Sequence, residues 1–206
     1  MRLPAKTVER LSQYRRVLQK YEDLDELYIF SHDLASMLRL TPVQVRRDLM
    51  LLKITGHYRS GYNVKAVLRT INETLSIPKT QKTTIIGMGE LGQALLKNIS
   101  SNPACPALIP ATFDLDPNRA SKTYHNVPCY DFIKAPELIT KHDIRIAILT
   151  INSPEIQEIV DSLVLSGIRG FINFIGGPFR VPDGIYLKDY DMRTTLDELS
   201  YFVSQM

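Results

Sequence analysis

Cysteine, histidine and long apolar stretches are all scarce in this chain of 206 residues. Its two cysteines, Cys105 and Cys129, do not form a metal-type spacing, so they read as reduced thiols of a cytoplasmic protein, and no metal site is expected. No apolar run approaches the ~20 residues that span a bilayer, and the Met1-Arg2-Leu3-Pro4 start lacks the apolar core of a signal peptide. A membrane partner is therefore not expected. The four histidines are His32, His57, His125 and His142. None falls at the end of a strand in the C-terminal half, where a proton donor for hydride chemistry would sit. Internal repeats and low-complexity segments are missing as well.

What remains is the composition of an ordinary globular protein, 44% apolar and 23% charged, with room for one large domain or two small ones. The charge is unevenly divided. Residues 1–78 carry 13 Lys/Arg against 8 Asp/Glu, net +5, while residues 79–206 carry 12 against 14, net −2. Such asymmetry suits an N-terminal half that meets a polyanion and a C-terminal half with another task. The sign changes near Ser76-Ile77-Pro78-Lys79-Thr80-Gln81, a polar stretch with a proline, which places a linker there.

The second half opens on a strand-like run, Lys82-Thr83-Thr84-Ile85-Ile86, that flows into Gly87-Met88-Gly89-Glu90-Leu91-Gly92. Glycines at these positions allow a tight turn, close backbone approach to a pyrophosphate, and close packing of the following helix. That helix has Leu91, Ala94, Leu95 and Ile99 at apolar spacing. After a second apolar run, Leu108 to Phe113, comes Asp114, 22 residues beyond the last glycine. An acid there seats the adenosine ribose hydroxyls and repels a 2′-phosphate, so NAD(H) is expected over NADP(H). Nothing basic is adjacent in sequence; Arg119, five residues on, could rescue NADP only by folding back. Thr150, at the end of a later apolar run, could touch the ribose or nicotinamide, and Leu115, next to Asp114, is a further cofactor-binding candidate. The bland alternative is a glycine-rich turn in a purely structural βαβ unit.

The first half reads as a nucleic-acid binder. Val8, Leu11, Leu18 and Tyr21 recur at near-helical spacing from Pro4 to Tyr21. Ser31 is placed as the cap of a short second helix burying Leu34, Ala35 and Leu38. Thr41-Pro42-Val43-Gln44 is a capping box, with Pro at the first helical position. On the helix that follows, Val45, Leu49 and Leu52 face the core, Gln44, Arg47 and Leu51 project from the opposite side, and Val43 and Arg46 flank them. This is a helix-turn-helix whose second helix can offer Gln and Arg to base edges. Gly56-His57-Tyr58-Arg59-Ser60-Gly61-Tyr62 reads as a hairpin, and Asn63 caps a fourth helix that turns Val64, Val67, Leu68 and Ile71 inward. Thr41, Gln44, Arg46 and Arg47, with His57, Tyr58 and Arg59 at the wing tip, are the DNA-binding candidates. A small helical domain with a merely solvated basic face is the alternative.

The joined pattern resembles the Rex redox-sensing transcriptional repressors of bacteria over nearly the whole chain. Leu3-Pro4, Arg10-Leu11 and Tyr14 match that family's opening helix, and Gln44-Val45-Arg46-Arg47-Asp48 its recognition helix. Gly61-Tyr62-Asn63-Val64 matches the end of its wing. The glycine motif, Phe113-Asp114-Leu115-Asp116, Ile148-Leu149-Thr150, Gly167-Ile168-Arg169-Gly170 and Ile172-Asn173-Phe174 follow in family order. The resemblance implies an α/β chain with a winged helix-turn-helix domain over 1–78, a Rossmann-type parallel-sheet domain over 79–192, and a helix over 193–206 swapped across a homodimer. In that helix Leu196, Leu199 and Phe202 give an apolar stripe.

The resemblance further implies operator binding at low NADH/NAD⁺ and release by NADH, with Asn173 and Phe174 near the nicotinamide. It also implies a switch involving Arg16 and Asp191. Three departures stand out. Asn173-Phe174 is followed by Ile175-Gly176-Gly177-Pro178, where relatives place a small residue and a proline near the nicotinamide. Leu49-Met50-Leu51-Leu52-Lys53 replaces an aromatic, glycine-rich stretch, and Asn98 stands where some relatives carry a tyrosine that joins the switch. Two other functions remain open from the residues: an NAD-dependent dehydrogenase with an extra N-terminal domain, and a module for another adenine nucleotide such as coenzyme A or ATP.

Overall fold

The structure, a computed structural model, describes residues 3–75, 81–102, 105 and 107–206. Contacts divide the chain into two compact units, 1–78 and 79–206. Apart from Gln81, the linker expected over Ser76–Gln81 lies outside the described residues.

The first unit runs α1 (Ala5–Asp23), β1 (Tyr28–Ile29), α2 (Ser31–Leu38), α3 (Pro42–Leu51), β2 (Tyr62–Asn63) and α4 (Val64–Leu75). Leu11, Tyr14, Leu18, Leu34, Val45, Leu49, Val67 and Ile71 make its core. On α1 the inward stripe is Thr7, Leu11, Tyr14 and Leu18, and Val8, expected inside, is 40% exposed. Leu11 and Leu18 are buried as expected and Tyr21 packs partly buried on the core, whereas Thr7 and Tyr14 take inward positions because the Thr7 hydroxyl and the Tyr14 phenol find buried partners. Ser31 is not a cap. Phe30 holds that position, its N–H donating to Asp33 at 3.4 Å, while Ser31 Oγ accepts from Arg46. Asn63 does cap α4, accepting from the Ala66 N–H at 2.9 Å, and Val64, Val67, Leu68 and Ile71 are buried.

The wing is shorter than the sequence suggests. His57 and Gly61 exchange two backbone hydrogen bonds, each 2.8 Å, and form a single bridge. Tyr62 and Asn63 then pair antiparallel with Ile29 and Tyr28. Gly61 is required at this crossing: its φ is +75°, and a Cβ there would stand 2.4 Å from the Ile29 carbonyl oxygen.

The second unit contains β3 (Gln81–Ile86), α5 (Glu90–Ser101), β4 (Ala107–Leu108), β5 (Thr112–Asp114), β6 (Thr123–Tyr124) and β7 (Val127–Asp131). After a 3₁₀ turn at Phe132–Lys134 come α6 (Ala135–His142), β8 (Ile146–Leu149), α7 (Ile156–Leu165), β9 (Gly170–Asn173), β10 (Tyr186–Asp189) and α8 (Met192–Val203). The strand order is β10-β9-β8-β3-β5-β7-β6, with β4 on the start of β3. Pairing is parallel except for β6 against β7. From β3 the chain builds outward one way through β5 and β7, then returns and builds the other way through β8, β9 and β10. This is the Rossmann order, and its reversal lies between β3 and β8, where such sheets bind ligands beyond their carboxyl ends.

Helix α5 meets the sheet through Gly92 and Leu96, with Leu95 and Ile99 partly buried. Leu91, 44% exposed, and Ala94 face outward instead of inward. The stripe rotates because Gly92, without a side chain, is the point of closest approach. Cys105 and Cys129 are both free thiols. None of α8 is buried, and Leu196, Leu199 and Phe202 are 57%, 56% and 56% exposed.

Candidate nucleotide cleft and nucleic-acid interface

The ends of β3, β5, β8 and β9 bring Gly87, Asp114, Thr150 and Asn173 to one edge of the sheet. The glycine turn is sterically determined. Gly87 has φ +103°, and a Cβ there would lie 2.9 Å from the Ile151 nitrogen. A Cβ on Gly92 would fall 2.0 Å from the Gly87 carbonyl oxygen. At Gly89 a Cβ would meet a single neighbour within 4 Å, Arg119 Nη1 at 3.8 Å. Gly89 is the N-cap of α5, and no side chain caps that helix, so the N–H groups of its first turn remain available to an anion.

Asp114, 1% exposed, ties this turn to β5. Its Oδ2 accepts from the Met88 N–H at 2.6 Å and its Oδ1 from the Asp116 N–H at 2.8 Å. Each oxygen keeps a lone pair for a ribose hydroxyl. Arg119 does fold back: Nη1 stands 3.7 Å from Asp114 Oδ2 and Nε 3.6 Å from Asp116 Oδ2. Leu115, 40% exposed, offers an apolar surface beside the carboxylate. The Thr150 hydroxyl points at the turn, 2.7 Å from the Gly87 oxygen and 3.1 Å from the Ile86 oxygen. Its proton is thereby committed to bracing the loop, which leaves only acceptor capacity toward a ligand.

At the end of β9, buried Asn173 shapes the next loop. Its Oδ1 accepts from the Ile175 N–H at 2.9 Å, and its Nδ2 donates to Asp189 at 2.8 Å. Phe174 stacks on Tyr190, with ring centroids 5.1 Å apart and 12° between planes. Asp191 is the N-cap of α8, accepting from Arg193 N at 2.9 Å, Thr194 N at 3.3 Å and Thr194 Oγ1 at 2.6 Å. These bonds, the Thr194 hydroxyl first, hold its carboxyl below the ordinary carboxylate range. Of the histidines, His32 lies in α2, His57 in the wing, His125 in the β6–β7 turn and His142 in the last turn of α6. Among the described residues there is no metal-ligating cluster and no helix long and apolar enough to cross a membrane.

In the first unit the capping box forms as the sequence spells it. The Gln44 N–H donates to Thr41 Oγ1 at 3.2 Å, and Gln44 Oε1 accepts from the Thr41 N–H at 3.0 Å. The same Gln44 side chain was expected to read bases, and it cannot do both with Oε1 at once. Arg46 and Arg47 are exposed, as are His57, Arg59 and Tyr58, the last 99% so. Arg16 is exposed on α1.

A buried cluster escaped the sequence reading. Asp48, 2% exposed, accepts from Arg10 Nε at 2.6 Å, Arg10 Nη2 at 2.7 Å, Tyr14 Oη at 2.8 Å and Thr7 Oγ1 at 3.3 Å. Its signal was present: Asp48 lies three residues past buried Val45, and Thr7, Arg10 and Tyr14 share one face of α1. Burial, then the bond to Asp48, pushes the Tyr14 phenol up from its ordinary value. At the far end of α3, Lys53 adopts φ +57°, a left-handed helix stop more often given to glycine.

Residues 2–49 match a family described as "Putative DNA-binding protein N-terminus", and residues 78–177 match the "CoA binding domain" family. The redox-sensing transcriptional repressor Rex of Leuconostoc citreum is 34% identical over 98% of this chain and 93% of its own length. The Rex protein of Bacillus licheniformis is 32% identical over 98% of this chain and 94% of its length. A Rex-family repressor, RSP, solved with β-NAD⁺ and operator DNA, superposes at TM-score 0.89 with 29% identity, covering 100% of this chain and 94% of that one. The same repressor with β-NADH gives 0.85, at 28% identity, 100% and 96%. The chain belongs to the Rex family of redox-sensing transcriptional repressors.

Proposed function

We propose that this chain represses transcription by holding operator DNA while NADH is scarce, and releases the DNA when NADH fills the cleft at the sheet edge. The observation that carries this reading is the pairing, in one chain, of a ribose-ready carboxylate bonded to the glycine turn (Asp114 to Met88 N, 2.6 Å) with a capped helix exposing Arg46 and Arg47.

The cleft fits a dinucleotide. The open N–H groups at the start of α5 and the Gly87–Gly92 turn, which no Cβ can enter at Gly87 or Gly92, take the pyrophosphate. Asp114 accepts the adenosine ribose hydroxyls, Leu115 flanks the base, and Thr150, Asn173 and Phe174 lie toward the nicotinamide. Coenzyme A, which the second family's name suggests, fits less well, because its ribose 3′-phosphate would meet the Asp114 carboxylate. The dehydrogenase reading is less well supported: among the described residues no histidine stands at these strand ends, and Thr150 is a poor acid that braces the turn. The Rex relatives are transcriptional repressors, and we read this chain as a cytoplasmic regulator on that basis.

In the N-terminal unit, Arg46, Arg47 and the wing residues His57, Tyr58 and Arg59 contact phosphates and base edges, and Thr41 and Gln44 set the entry of α3. Helix α8, with its apolar stripe uncovered, packs on a second copy of the chain, making a homodimer with two recognition helices. Mobility shift on operator-like DNA at several fixed NADH/NAD⁺ ratios tests the reading. The expected result is a complex that dissolves as the ratio rises; binding indifferent to the ratio contradicts it.

A further inference from the structure

A bare aspartate at the end of the second Rossmann strand accepts ribose hydroxyls and rejects a 2′-phosphate outright. Asp114 is not bare. Arg119 spans it and Asp116, at 3.7 Å and 3.6 Å, and the same guanidinium reaches the Gly89 turn. One cation therefore sits at the corner where the adenosine ribose and the adjoining phosphate would lie. Its backbone is pinned: the Arg119 N–H donates to the Asp116 carbonyl at 2.9 Å, and Tyr124 Oη donates to the Arg119 carbonyl at 3.3 Å. Its side chain, 46% exposed, keeps the freedom to turn from one partner to another.

Resting on the proposed NAD(H) site, we propose that Arg119 contacts the cofactor and sets how sharply this chain separates NAD(H) from NADP(H). With ribose hydroxyls on Asp114, Arg119 stays between the two acids and adds little. With a 2′-phosphate at that corner, Arg119 supplies a charge-assisted, fork-shaped donor that offsets the repulsion from Asp114. Asp116 opposes this, because it competes for the same guanidinium. Asp114 still stands where a 2′-phosphate would lie, so NAD(H) remains preferred, by a margin that Arg119 narrows. A purely structural Arg119, neutralising Asp114 to hold the turn, would affect both dinucleotides alike.

The test is calorimetric titration of the full chain with NADH and NADPH, in the wild type and in Arg119→Ala, Arg119→Lys and Asp116→Asn. Arg119→Ala should weaken NADPH about tenfold more than NADH, the size of one charge-assisted hydrogen bond. Arg119→Lys should keep most of the wild-type ratio, and Asp116→Asn should shift the ratio toward NADPH. Equal changes for both dinucleotides, an unchanged ratio, or no measurable NADPH binding by the wild type would each overturn the assignment while leaving the NAD(H) site intact. Failure of NADH to bind the wild type would overturn both.

Discussion

Arg10 clamps Asp48 with two hydrogen bonds, from Nε at 2.6 Å and Nη2 at 2.7 Å, and so fixes the first helix against the back of α3. The carboxylate is buried and fully partnered, which makes it costly to disturb. Asp48→Ala deprives Arg10 of its carboxylate and Tyr14 of its acceptor, and should lower the stability of the N-terminal unit by about 3 kcal/mol in urea unfolding. The Tyr14 phenol gives the cluster a pH signature. Its folded pKa is raised above the unfolded value, so the neutral phenol's contribution is complete below pH ~10 and is lost as pH rises through the folded value. An alkaline stability scan should therefore fall more steeply for the wild type than for Tyr14→Phe; parallel curves would remove Tyr14 from this role.

Arg46 and Arg47 should carry much of the DNA affinity. A phosphate contact weakens all sequences alike and lowers the salt slope by about one per arginine, whereas a base contact costs about 1–3 kcal/mol and relaxes preference at one position. Operator titrations of the Arg46→Ala/Arg47→Ala double variant at several salt concentrations separate the two. Wild-type affinity in that variant would refute the recognition-helix assignment.

Gln44 holds its own helix start, so its stability and DNA roles can be separated. Gln44→Glu keeps an acceptor for the Thr41 N–H and should leave thermal stability within about 0.5 kcal/mol. The added negative charge should nonetheless weaken operator binding. A variant that binds DNA as well as the wild type would confine Gln44 to capping.

Asp191 both caps α8 and is the proposed partner of Arg16. Asp191→Ala would remove both functions, but Asp191→Asn retains a good cap while discarding the charge. If an Arg16–Asp191 pair favours the DNA-bound arrangement, Asp191→Asn should shrink the NADH response of operator binding with α8 helicity preserved in circular dichroism. Because Asn98 replaces a tyrosine of the switch in some relatives, a coupling in the lower half of the usual ~5–150-fold range is expected. An unaltered response clears Asp191 of this role.

Local signals were the most readable part of the chain. The Thr41–Gln44 capping box, the Asn63 cap and the inward face of α4 rest on neighbours within a turn, and the structure reproduces them. The strand-turn-helix at Gly87–Gly92 was readable because glycine is sterically forced there. What escaped depends on residues distant in sequence. Asp48 is a polar residue on a core face, and only a partner on α1 makes that burial tolerable. The β1–β2 pair joins two strands of two residues each, too short for any alternation to register. The bracing role of Thr150, 63 residues from Gly87, is likewise set by where distant segments meet, which local pattern does not encode.

Reciprocity gives the most direct test of coupling between the two units. Whatever factor NADH takes from operator affinity, operator DNA must take from NADH affinity. Measured by titration on the full chain, the NADH dissociation constant should rise about 5–30-fold when operator is saturating, in step with the NADH effect on DNA. An NADH affinity that is the same with and without operator would contradict a redox-controlled repressor.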